Sequence, residues 1–66
     1  MEMNEVVKSL IGARLAANMT EKELAKRTGI RPSRIDKIEN GLTSPTLDEL
    51  RKIASATGRK LNVELI

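Results

Sequence analysis

TEKELAKRTGIRPSRIDKIENG, residues 20–41, decides how the whole chain is read. Thr20 and Glu23 have the T-x-x-E spacing of a capping box, which opens a helix from Glu21 to about Thr28. Leu24 and Ala25 give that helix a narrow apolar face. Gly29 then stands where a left-handed residue ends a helix. Ile30 follows as a buried turn residue, and Pro32 suits the first position of a second helix, where its missing N–H has no partner to lose. Ile35 and Ile38 face the core, Glu39 lies one turn beyond Ile35 on that side, and Gly41 closes the unit. The stretch is two short helices around a tight turn.

Upstream, Val7, Leu10, Ile11, Arg14 and Leu15 follow the spacing of one helical face, with Asn4 as expected cap and Asn18 as expected stop. Arg14 is a cation on this otherwise apolar stripe, so it must either snorkel outward or find a buried anion. Downstream, Leu42–Pro45 is a loop, because Pro45 disfavours helix at Ser44. Thr46 and Glu49 repeat the capping box and open a fourth helix with Leu47, Leu50, Ile53 and Ala54 inward, ended by Gly58. The period then changes. Leu61, Val63 and Leu65 alternate with Asn62 and Glu64, as in a half-buried strand over residues 60–66. A lone strand has no partner in its own chain: it either frays or pairs with the same strand of a second copy across a two-fold axis. The dimer is the favoured expectation.

The 66 residues make one small domain, 1–66, near the lower limit of what folds without staples. Cys and His are both absent, which leaves no disulfide, no usual zinc site and no expected cofactor or metal. Phe, Trp and Tyr are absent as well. The core must be aliphatic, and the aromatic stacking used by single-strand binders is missing. Apolar runs never exceed two or three residues, far short of the roughly 20 that span a bilayer. Glu2, Glu5 and Lys8 interrupt any signal-peptide core. The expectation is a soluble cytoplasmic domain without a membrane partner.

The net charge of +3 is modest, but its distribution is not even. Lys22, Lys26, Arg27, Arg31, Arg34 and Lys37 crowd the opening stretch against Glu21, Glu23, Asp36 and Glu39. A solvated surface can carry the same excess; so can the footprint of a polyanion binder. The geometry favours the second. With Leu24, Ile30, Ile35 and Ile38 inward and Ala25 at the helix crossing, Ser33, Asp36 and Lys37 project from the exposed half of the second helix, with Arg34 on its outer flank. A helix in the DNA major groove offers side chains at these offsets to base edges and phosphates.

T-E-K-E-L-A-K-R-T-G-I, R-I-D-K-I-E-N-G and S-P-T-L-D-E-L together resemble the Cro/CI-type, or XRE-type, helix-turn-helix domains over roughly Ile11 to Thr57. The resemblance implies a mainly α, four-helix, lambda-repressor-like domain that binds a double-stranded operator as a homodimeric repressor. It implies an ion pair between Arg14 and Glu39, base reading by Ser33, Asp36 and Lys37, and backbone contacts through Arg31, Arg34, Asn40, Gly41, Thr43 and Ser44. It places the protein in a bacterial or phage-infected cytoplasm, at the nucleoid. Departures are visible. Glu21 replaces the usual Gln, Arg31 the usual Ser/Thr cap, Pro32 a contacting side chain, and Thr28 a commonly apolar residue.

The ending T-G-R-K-L-N-V-E-L-I is similar to antitoxins of the HigA and HipB type, whose C-terminal strand joins an intermolecular sheet. That likeness implies dimerisation through Leu61, Val63 and Leu65, and an alternative main partner, a toxin protein. An enzyme is not expected. No His or Cys can act as nucleophile or base, the carboxylates sit at caps, on the surface or in the implied ion pair, and the glycines are too scattered to cradle phosphate.

Overall fold

The computed structural model describes residues 3–66, so Met1 and Glu2 of the expected 1–66 domain lie outside it. Four helices follow in order: α1 Met3–Ala16, α2 Glu21–Thr28, α3 Pro32–Glu39 and α4 Leu47–Ala56. The pair α2 and α3 packs together; α4 closes over α2, and α1 lies against both α3 and α4. Leu24, Ile35, Ile38 and Ile53, one or two from each of α2, α3 and α4, are at most 2 % exposed and form the centre. Leu10, Met19 and Ala25 complete the buried cluster, with Val6, Ala17, Ile30, Leu50 and Ala56 around it. Without an aromatic ring, the core depends on these branched aliphatic chains, each contributing about 1.5–3 kcal/mol when fully buried.

The helix ends explain why such short elements persist. Thr20 accepts from the Glu23 N–H while Glu23 accepts in return from the Thr20 N–H, and Thr46 with Glu49 does the same for α4. Met19 precedes the first cap and Leu24 stands at the fourth position after it; both are in the core, as a hydrophobic staple requires. At the far end of α1, Asn18 adopts φ +56° and the Met19 N–H reaches back to the Arg14 carbonyl at 3.1 Å. The same closure ends α3, where Leu42 N–H donates to the Lys37 carbonyl at 2.9 Å. Gly29 ends α2 at φ +74° with its N–H on the Ala25 carbonyl, 2.9 Å away. A Cβ there would meet nothing within 4 Å, so the glycine answers a conformational demand of the backbone and not a close approach of the helices.

Several expectations need correction. Asn4 lies inside α1, not at its cap. Leu15 is 58 % exposed, because the buried stripe of α1 is centred on Leu10 and runs through Val7, Ala13 and Arg14. Leu47, in the first turn of α4, is 47 % exposed. Ile30 is half-buried, and Met19, Ala13 and Pro45 are buried where nothing predicted it. The expected C-terminal β-strand is absent: among the described residues there is no strand, and residues 59–66 run on as irregular chain. A strand is defined by its ladder, and the single chain offers no second edge to Leu61, Val63 and Leu65. Leu61 lies half-buried beside the groove between α1 and α4, whereas Val63, Leu65 and Ile66 are exposed.

Candidate nucleic-acid interface

The α2–α3 pair is held from behind by an ion pair. Arg14 Nε donates to Glu39 Oε2 and Arg14 Nη2 to Glu39 Oε1, both at 2.8 Å, and Nη1 donates to the Met19 carbonyl at 2.8 Å. Only 12 % and 11 % of the two side chains are exposed. The guanidinium pKa is raised, chiefly by the bonds to Glu39, so the charge is firmly held. This pair ties α1, the α1–α2 turn and the end of α3 into one body. Thr28, polar in a buried position, is satisfied locally. Its hydroxyl donates to the Leu24 carbonyl at 2.8 Å and accepts from the Ile30 N–H at 3.2 Å, which pins the turn between α2 and α3.

With Ile35 and Ile38 locked inward, Ser33, Asp36 and Lys37 of α3 are exposed, as are Arg31, Asn40, Gly41 and Ser44. The arrangement is charge-polarised. Arg31, Ser33, Lys37 and Lys52, with the paired Arg34 and Glu49, line one open concavity of about 450 Å³ between α3 and α4. Asp36 lies on the other flank, where the Asn40 side-chain N–H donates to its carbonyl (2.9 Å) and its carboxylate (3.1 Å). Glu21 belongs to that acidic flank. Its Oε2 is buried without a hydrogen-bond partner, and its pKa is raised, first by desolvation and then by the neighbouring Glu39 and Asp36, against the opposing pull of Arg14.

Arg34 is not where the sequence reading put it. It turns to α4 and the α3–α4 loop instead of outward. Nε and Nη2 donate to the Glu49 carboxylate at 2.9 and 2.8 Å, Nη1 to the Thr43 hydroxyl at 2.8 Å, and Nη2 to the Ser44 carbonyl at 3.1 Å. The partnership draws the Glu49 carboxyl down to about 2, with help from the Thr46 N–H. Thr43 and Ser44 are therefore held beside α3 by a side chain expected at the DNA backbone. The backbone N–H groups of Asn40 and Gly41 are consumed by the helix end, on Asp36 and Ile38 carbonyls, so Gly41 brings a surface without a free donor.

Two features escape a reading of the sequence. Glu49 appears there only as a cap, since nothing periodic links it to Arg34, 15 residues earlier. Lys52 joins the basic concavity from α4 and also pairs with Asp48 at 3.2 Å; an exposed lysine carries no signal of this in one dimension. Among the described residues no group of acidic side chains is placed to hold a metal ion, and no helix is long and apolar enough to cross a membrane.

A braced helix pair with an exposed, charge-patterned second helix defines a class, the helix-turn-helix domains. The helix-turn-helix family matches residues 10–63, and the chain belongs to it, in its XRE-type branch. Among curated proteins it is 31 % identical over 58 residues to the "Uncharacterized HTH-type transcriptional regulator" of Haemophilus influenzae. That alignment covers 88 % of this chain, and the chain spans only 59 % of that relative's length. No solved structure matches.

Proposed function

We propose that the chain is a sequence-specific, double-stranded DNA-binding transcriptional regulator, a homodimeric repressor that lays α3 in the major groove. Ser33, Asp36 and Lys37 meet base edges, Lys37 as donor to guanine and Asp36 as acceptor from the cytosine amino group. Arg31, Asn40, Gly41, Thr43 and Ser44 follow the phosphate backbone, with Lys52 beside them. The operator then lies in the cytoplasm of a bacterial or phage-infected cell, at the nucleoid. The observation that carries the reading is the exposed Ser33–Lys37 edge on a helix whose inner face is immobilised by Ile35, Ile38 and the Arg14–Glu39 pair. A rigid helix with an exposed polar edge that packing does not need is suited to recognition. Membership of the helix-turn-helix family and the name of the Haemophilus relative support it. Selection of duplexes from a randomised pool tests it: an enriched two-fold symmetric site is expected, and no enrichment over random sequence would sink sequence-specific reading.

A second reading is favoured by the tail. Val63 is 62 % and Leu65 99 % exposed, an apolar row in want of a partner. A second copy, pairing Leu61, Val63 and Leu65 across a two-fold axis, is the occupant assumed above; a toxin protein, with autorepression as the second activity, is the alternative. Deleting Lys60–Ile66 separates them. Halved molar mass together with weaker operator binding supports the dimer, whereas an unchanged mass with loss of a co-purifying protein supports the antitoxin reading.

A further inference from the structure

The sequence pattern puts Arg34 where a cation would serve a phosphate, yet its side chain turns to α4 and its charge is spent inside the molecule. We propose that Arg34 is a positioning residue for the α3–α4 loop and contributes no phosphate contact; the proposal rests on the DNA-reading assignment above. Its bonds to Glu49, Thr43 and Ser44 leave it a single free N–H, and the carboxylate already neutralises it. Glu49 is the hub. Its Oε1 accepts from both Arg34 and the Thr46 N–H, so one carboxylate joins the reading helix, the end of the loop and the start of α4.

The consequence for the loop is directional. Arg34 occupies the Ser44 carbonyl, an acceptor that phosphates would otherwise meet unpaired. It also occupies the Thr43 hydroxyl as acceptor, which leaves that hydroxyl's own proton to donate outward. Among the described residues, no acceptor takes the Thr43 or Ser44 N–H. Buried Pro45 anchors the far end of the loop. Arg34 thus holds a short row of donors at a fixed offset from Lys37 and Ser33, and the loop delivers the contact.

A paired guanidinium releases no counterion on meeting DNA, whereas a free one does, and this separates positioning from contact. The experiment compares the full chain with Arg34→Gln, Glu49→Gln and the double variant, binding to a mixed-sequence duplex over a salt series, at a temperature where all four are folded. Glu49→Gln retains the capping acceptor for Thr46, so the helix start survives. Each single variant is expected to bind about tenfold more weakly at every sequence, and the double variant no more weakly than either single one. The slope of log K against log salt is expected to stay that of the wild type. A slope shallower by about 0.9 in Arg34→Gln, or tighter binding by Glu49→Gln as a freed Arg34 reaches phosphate, would overturn the proposal. Backbone nitrogen relaxation at Leu42, Thr43 and Ser44 tests the brace without DNA. Increased loop motion in both variants is expected, and unchanged order would overturn the brace. Failure of the wild type to bind any duplex would defeat the DNA-reading assignment, and the relaxation result would still decide whether Arg34 orders the loop.

Discussion

Arg14 and Glu39 stand 25 residues apart in sequence and meet through two parallel hydrogen bonds of 2.8 Å, with nine-tenths of each side chain covered. The pair joins the first helix to the end of α3, and a third bond to the Met19 carbonyl adds the turn that precedes α2. Removing either member leaves the other charge buried alone, at a cost of about 3–5 kcal/mol. Arg14→Ala and Glu39→Ala are therefore expected to lower the unfolding free energy in urea by a similar large amount. Replacing both by methionine is expected to cost far less than either single change, because no orphaned charge remains.

Glu49 and Glu21 predict opposite pH effects. The Glu49 carboxyl is lowered to about 2, so its stabilisation is fully present above the ordinary carboxylate range near 4.5 and is lost as pH falls from there toward 2. Glu49→Gln is expected to flatten that part of the stability–pH curve, removing about 1–2 kcal/mol at neutral pH once solvent screening is allowed for. Urea titrations of both proteins through the acid range check it.

Glu21 has its pKa raised, so its protonated form is the one the fold favours. That stabilisation is present below the ordinary pKa and is lost as pH rises through the raised value. Glu21→Gln is expected to raise the unfolding free energy at neutral pH, less the carboxylate's favourable place at the start of α2. The same change removes a negative charge from the acidic flank of α3 and is expected to tighten duplex binding, read in the same preparation by fluorescence anisotropy.

Lys37→Ala is expected to erode preference for the selected operator by about 1–3 kcal/mol while leaving weak binding to random duplex nearly intact. Asn40→Ala, in the cap that closes α3, is expected to weaken all sequences alike. Competition between operator and random DNA measures both ratios.

Gly29→Ala tests the turn itself. With φ at +74° and no atom within 4 Å of the place a Cβ would take, only the left-handed backbone is penalised. A loss of about 1 kcal/mol in urea unfolding is expected, with no rearrangement of α2 and α3.

What is legible in this sequence is local or is carried by the family's own motifs. The two capping boxes and the Gly29 and Gly41 stops each involve residues a few positions apart, and their chemistry specifies the geometry directly. The Arg14–Glu39 pair is legible only because Arg14 interrupts an apolar stripe and the I-E-N-G run supplies a partner by resemblance. The Arg34–Glu49 pair has neither signal: both residues have ordinary surface roles available, and only the packing of α4 beside α3 brings them together. Leu15 misleads because two overlapping stripes on α1 fit the same spacing, and the buried one is chosen by the position of α3 and α4. The alternating tail misleads in another way: its pattern describes a strand, but the described residues offer no second edge, and residues 59–66 stay irregular.

The central claim is that α3 is a DNA-reading helix, and the most direct measurement is duplex affinity against salt. The predicted result is a steep linear fall of log K with log salt, near −0.9 for each phosphate neutralised by Arg31 and the lysines beside it, made shallower by Arg31→Ala. Affinity that does not change with salt, or no measurable duplex binding at low salt, would contradict it.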